Sequence, residues 1–133
     1  MMYYKGISEP PKDYRLWFDL VHAFTKHLVA RYGIDTVRQW YFECWNELWG
    51  IPWGTNATSG TAAGSPYMAL YNASYFAVKT VDPELQIGGP ATMLVQHVAD
   101  FRDALKSWNL STSFVSTHLY PTDTCSSQPT VRS

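Results

Sequence analysis

Trp40-Tyr41-Phe42-Glu43-Cys44-Trp45, followed directly by Asn46-Glu47, is the stretch on which the fold turns. The run is aromatic and too short for a helix of its own, so it reads as a β-strand. Upstream, Ser8-Glu9-Pro10-Pro11-Lys12-Asp13 is turn-like. The residue before a proline is pushed away from helical geometry, and proline suits a first helical turn, so a helix is expected just after it. Trp17, Leu20, Val21, Phe24 and Leu28 then recur at three- and four-residue steps and form one stripe, while Arg15, Asp19 and Lys26 fall elsewhere. Gly33 after Tyr32 is a natural left-handed stop.

Downstream, a loop bearing Gly, Pro, Thr and Trp runs from about Asn46 to Gly64. A second helix is expected near Ser65 to Thr80, with Tyr67, Leu70, Tyr71, Ser74, Ala77 and Val78 on one face and Asn72 off it. Pro83 ends that helix, Leu85-Gln86-Ile87 reads as a short strand, and Gly88-Gly89-Pro90 as a turn. Leu94, Val98, Phe101, Leu105 and Trp108 mark a third helix, and Phe114-Val115-Ser116-Thr117-His118 a last strand running into Leu119-Tyr120-Pro121. Helix and strand alternate, with crossovers long enough to hold a helix each, which is the grammar of right-handed parallel βαβ units. The fold class is therefore α/β. Three parallel strands cannot close, and a (β/α)8 barrel needs roughly 250 residues, so this is either a small open sheet or part of something larger. Residues 122–133 have no periodicity and read as a truncated loop.

Of 133 residues, 46% are hydrophobic, 16% aromatic and 16% charged, which fits a globular domain or part of one and excludes disorder. Ten Lys and Arg face eleven Asp and Glu, so no charge excess favours nucleic acid or an anionic membrane as partner. No apolar run approaches the roughly 18 residues that span a bilayer, and the first residues lack a signal peptide's apolar stretch, so no membrane segment and no processing at that end are expected. Cys44 and Cys125 lie far apart without CxxC spacing, and no HExxH pattern joins His22, His27, His97 and His118. Neither a metal site nor a cofactor is expected. His22, His27 and His97 fall on the expected helices and read as surface residues. The triplets Asn56-Ala57-Thr58, Asn72-Ala73-Ser74 and Asn109-Leu110-Ser111 fit the glycosylation pattern. They are either signs of a secreted or lysosomal-type route or chance in a Ser/Thr-rich chain, as in a cytoplasmic bacterial protein. The compartment and the oligomeric state stay open.

In parallel α/β architectures ligands sit beyond the carboxyl ends of strands, so Glu47 is the first candidate for proton transfer. Taken alone, a carboxylate there is as well explained by solvation or by pairing with a neighbouring Arg. The wider pattern decides. Pro10-Pro11-Lys12-Asp13-Tyr14, Arg31-Tyr32-Gly33-Ile34, Phe42-Glu43-Cys44-Trp45-Asn46-Glu47, Val81-Asp82-Pro83, Ile87-Gly88-Gly89-Pro90-Ala91-Thr92 and Phe114-Val115-Ser116-Thr117-His118-Leu119-Tyr120-Pro121, in that order, resemble glycoside hydrolase family 39. That family comprises β-xylosidases and α-L-iduronidases on a (β/α)8 barrel. The resemblance covers nearly the whole chain.

The resemblance implies that residues 1–133 are a fragment of a single catalytic domain, a partial TIM barrel of about three parallel strands, barrel strands 4 to 6, with the barrel not closed. It implies retaining hydrolysis of an oligosaccharide or glycoside, most like an exo-acting β-xylosidase. An α-L-iduronidase-like enzyme and a non-catalytic sugar-binding or scaffold protein are the alternatives. Glu47 becomes the general acid/base, and Asn46 a hydrogen-bond partner of the sugar hydroxyl beside the reacting carbon. The chemistry agrees: a departing sugar oxygen needs a carboxylic acid to protonate it, and the same group later takes a proton from water. A partly dry aromatic surround favours the protonated acid, and Trp45, Trp49 and Trp53 are the candidates to supply one, with ordinary packing or stacking on sugar C–H faces as their other uses. His118 and Tyr120 are expected to line the floor of the sugar site. The family usually continues Asn-Glu with Pro, whereas this chain has Leu48, so the loop after it is expected to run differently.

Retention needs two carboxyl groups about 5 to 5.5 Å apart. Glu43 lies four strand residues before Glu47, roughly 13 Å away, too far to be the second, and no Glu follows Glu84. The family's nucleophile is a Glu on the next barrel strand, so the chain alone is expected to be inactive.

Overall fold

The computed structural model describes residues 10–47, 66–92, 95 and 97–120. The first helix, α1 (Tyr14–Tyr32), starts where the two prolines end. Asp13 caps it, its carboxylate accepting from the amides of Arg15 and Leu16 at 2.7 and 3.2 Å, and Gly33 closes it at φ 83°. A single helical turn, α2 (Ile34–Val37), fills the expected short connection to β1 (Tyr41–Glu43). Then come α3 (Pro66–Lys79), β2 (Gln86–Thr92), α4 (His97–Ser107) and β3 (Val115–Thr117).

The described strands make one parallel sheet in the order β1-β2-β3, with Tyr41 opposite Gln86 and Gly89 opposite Val115. The α/β alternation and the open sheet of three parallel strands expected from the sequence are both present. The α3 stripe is also as expected: Tyr67, Leu70, Tyr71, Ser74, Ala77 and Val78 are all buried. Tyr67 and Tyr71 pack edge-on against Phe101 of α4, with ring centroids 6.0 and 5.1 Å away. A second cluster of Val37, Val78, Leu85 and Ile87 fills the other end.

Three expectations change. Gly88-Gly89-Pro90 is not a turn but the middle of β2, buried throughout. The glycines are there because neighbours come too close for a side chain: a Cβ on Gly88 would stand 2.5 Å from the Phe114 carbonyl oxygen, and one on Gly89 2.6 Å from the Tyr67 hydroxyl. His97 is not on the surface but 6% exposed, because it shares a face with Phe101 and Leu105 one and two turns on. The stripe of α1 is rotated. The face against α3 carries half-buried Trp17, Val21 and Leu28 with buried Thr25, while Leu20 and Phe24 are 61% and 55% exposed. Trp17 fixes this rotation by donating its Nε1–H to the Ser74 hydroxyl at 2.9 Å.

Candidate active site at the carboxyl ends of the strands

Beyond Glu43 the chain leaves the ladder. Cys44 still donates its amide to the Gly88 carbonyl at 2.9 Å, but Trp45 and Glu47 adopt φ values of 72° and 48°, in the left-handed region that non-glycine residues rarely enter. Ala91, at the end of β2, does the same at φ 51°, beside the register shift between Pro90 and Thr92. These strained residues meet, since the Glu47 amide donates to the Ala91 carbonyl at 2.9 Å. Strain of this sort collects at functional sites, where the surroundings hold it in place.

The third strand delivers the partner. Thr92 and Thr117 share a hydroxyl pair at 3.1 Å, and the His118 amide donates to the Thr92 carbonyl at 2.7 Å. Those bonds set the His118 ring so that its Nδ1 lies 2.6 Å from Glu47 Oε1. Both side chains are about a quarter exposed, at 27% for Glu47 and 28% for His118, so the pair is reachable from solvent. A carboxylate only accepts, so with Glu47 ionised the proton of this bond sits on Nδ1.

The structure thus brings Glu47 and His118 into contact from strands at opposite edges of the sheet. Asn46 is exposed in the turn just before Glu47. Tyr120, 57% exposed, lies two residues after His118, beyond the end of β3. Trp45 is half-buried and packs against the cluster of Tyr67, Tyr71 and Phe101. Trp49 and Trp53 lie outside the described residues, as do Asn56, Leu94, Pro121, Cys125, the loop 48–64 and the tail 122–133. Among the described residues no three His, Cys, Asp or Glu side chains group closely enough to hold a metal ion, and no helix is long and apolar enough to cross a membrane.

Behind the site stands a buried polar set that the residue pattern did not single out. Tyr67 donates its hydroxyl to the Cys44 carbonyl at 3.2 Å, and the Cys44 thiol sits 3.7 Å from Ser74 Oγ. Burial pushes that thiol up to about 12 and holds the Tyr67 phenol well above its usual range, so both keep their protons. The sequence signal was available, since a tyrosine on a wholly buried stripe must find a partner for its hydroxyl.

Parallel strands joined by helical crossovers, with a carboxylate and an imidazole meeting at the strands' carboxyl ends, fit a segment of a (β/α)8 barrel, whose ligands sit at that face. The model of glycosyl hydrolases family 39 matches residues 1–132, and the chain belongs to that family. It is 40% identical over 125 residues to a β-xylosidase of Caldicellulosiruptor saccharolyticus, an alignment covering 92% of this chain and 24% of the relative. Against human α-L-iduronidase it is 30% identical over 74 residues, 56% of this chain and 11% of the relative. The structure of a family 39 β-xylosidase from Caulobacter crescentus superposes with a TM-score of 0.70 at 36% identity, over 85% of this chain and 24% of that one. The chain spans about a quarter of the length of these xylosidase relatives.

Proposed function

We propose that this chain is the acid/base-bearing part of a single larger catalytic barrel that hydrolyses O-glycosidic bonds with retention, most like an exo-acting β-xylosidase. The observation that carries the reading is the 2.6 Å contact between Glu47 Oε1 and His118 Nδ1. Glu47 is the general acid/base. His118 occupies Oε1 through its Nδ1–H, which leaves Oε2 as the oxygen that carries the proton to the departing glycosidic oxygen. After the sugar has moved to the second carboxyl, Oε2 takes a proton from the incoming water. Asn46 and Tyr120, exposed and close to Glu47 and His118 in sequence, are proposed to hydrogen-bond sugar hydroxyls, and Trp49 and Trp53 to stack on the sugar. The nucleophile belongs, by resemblance to the family, to a barrel strand outside these residues.

Support for xylose over iduronic acid comes from similarity: the β-xylosidase relative is both more identical and aligned over more of this chain than the α-L-iduronidase. Turnover of aryl β-xyloside against aryl α-iduronide by the intact enzyme separates the two. Glu47→Gln in that enzyme separates catalysis from mere sugar binding. It is expected to keep binding and to lose about 10²- to 10⁴-fold in hydrolysis of a poorly activated xyloside, the contribution of a general acid. Undiminished hydrolysis would remove Glu47 from the reaction.

A further inference from the structure

Register alone exposes a gap in the sheet beside Glu47. Glu43 pairs with Gly88, and the Cys44 amide donates to the Gly88 carbonyl at 2.9 Å. In a parallel ladder that continues this pattern, the donor owed to the Cys44 carbonyl is the amide of residue 90. Residue 90 is Pro90, which has no N–H. The Cys44 carbonyl is left without its strand partner inside a residue only 6% exposed, where an unpaired acceptor is costly. The hydroxyl of Tyr67, itself fully buried, donates to this oxygen from α3 at 3.2 Å. Its ring is clamped by Tyr71 and Phe101, with centroids 6.2 and 6.0 Å away, and Gly89 gives the hydroxyl its room.

We infer that Tyr67 is a positioning residue for Glu47: its hydroxyl replaces the missing strand donor at Cys44 and so fixes the point from which β1 leaves the sheet and carries Glu47 to His118. The inference deepens the reading of Glu47 as proton donor and rests on it. From Cys44 the chain passes through the left-handed residues Trp45 and Glu47, and the Glu47 amide is anchored on the Ala91 carbonyl. Without the Tyr67 bond, the carbonyl at the start of this turn loses its hold on α3, and the carboxyl oxygen that carries the proton drifts from the leaving oxygen.

A donor out of place has a signature that a weakened fold lacks, because only leaving groups that need protonation feel it. The test compares kcat/KM of the intact enzyme on phenyl β-D-xyloside, which needs the proton, and on 2,4-dinitrophenyl β-D-xyloside, which does not. Tyr67→Phe, which keeps the ring and removes the donor, is expected to lose about tenfold or more on the phenyl substrate, a fraction of what a general acid contributes, and under about twofold on the dinitrophenyl one. Gly89→Ala places a methyl 2.6 Å from the same hydroxyl, displaces that oxygen without deleting it, and is expected to show the same selective loss. In a Glu47→Gln background Tyr67→Phe should cost nothing further on the phenyl substrate. Equal losses on the two substrates in either folded variant, or none, overturn the inference while leaving Glu47 in place. Full activity of Glu47→Gln alone on the phenyl substrate overturns the reading of Glu47 first, and the role of Tyr67 with it.

Discussion

A carboxylate proposed to give and take a proton at one point in space needs something to hold it, and His118, 2.6 Å away, is the support the proposal gives it. Its bond to Glu47 is a charge-assisted one whenever the carboxyl is ionised, worth about 1.5–3 kcal/mol. His118→Ala in the intact enzyme is therefore expected to lower kcat on a poorly activated xyloside about 10- to 100-fold, the range those energies convert to. A loss confined to KM would instead make His118 a sugar contact only. Cys44 supplies a second test at the same scale. Its thiol is buried and raised from 9.0 to about 12, with burial as the main cause. An unfolded thiol ionises near its ordinary value while the folded one stays neutral, so this residue's contribution to stability is full below about pH 9 and falls as the pH rises toward 12. Alkylation at pH 8 read by peptide mapping should leave Cys44 unmodified in the folded protein and label it after denaturation; rapid labelling of the folded protein would contradict this burial. Glu47 and His118 were legible from the sequence because strand-end position and family pattern both point to them. Tyr67 was legible as a buried tyrosine in need of a partner, but the identity of that partner, like the bond to Ala91, was not, since each follows from register, and register is set by pairing across the sheet.

At the scale of elements, periodicity located α3 residue by residue, because a helix buried along one face must repeat at the helical step. β2 escaped the same reasoning. A buried central strand shows no alternation, and Gly88-Gly89-Pro90 carries the composition of a turn. What makes these residues a strand is the close approach of Phe114 and Tyr67, which no local pattern records. Gly88→Ala is expected to destabilise the fold by about 1–3 kcal/mol, since its Cβ would meet the backbone oxygen of Phe114, which cannot swing aside as a side chain can. Denaturant unfolding of the intact enzyme reads this as a lowered midpoint at unchanged slope. The connection into β2 is held at its other end by charge. Arg38 reaches Asp82 at 2.7 Å and Glu84 at 3.0 Å, and the hydrogen bond from Arg38 holds the Asp82 carboxyl below its usual range. A depressed carboxyl stabilises above its unfolded value and loses that contribution as pH falls through the folded one, so Arg38→Ala should matter at neutral pH and cease to matter in acid.

For the whole molecule the decisive feature is what the described elements leave uncovered. Leu16, Leu20 and Phe24 form a row on α1, 55–66% exposed, on a face turned away from α3. On the sheet, Tyr41 and Val115 are 66% and 51% exposed, and β1 and β3 each pair with one strand among the described residues. Closing a (β/α)8 barrel covers such surfaces, with helices beside α1 and strands beyond β1 and β3. A sheet with open edges and wet apolar rows is instead prone to pair with copies of itself. The 133-residue chain produced alone is therefore expected to self-associate and to bind a hydrophobic dye. A monomer by light scattering, with cooperative unfolding and sharp near-ultraviolet dichroism, would show that these surfaces need no cover. The same geometry bears on catalysis. Glu47 and His118 come from β1 and β3, so their contact depends on both edge strands keeping their places across β2. In a sheet free to splay, that contact loosens, and the second carboxyl is proposed to come from another barrel strand. No turnover of an aryl xyloside and no covalent adduct with a fluorinated xyloside are expected from the isolated chain, and mass spectrometry of such an adduct on it would place both halves of the chemistry within these residues.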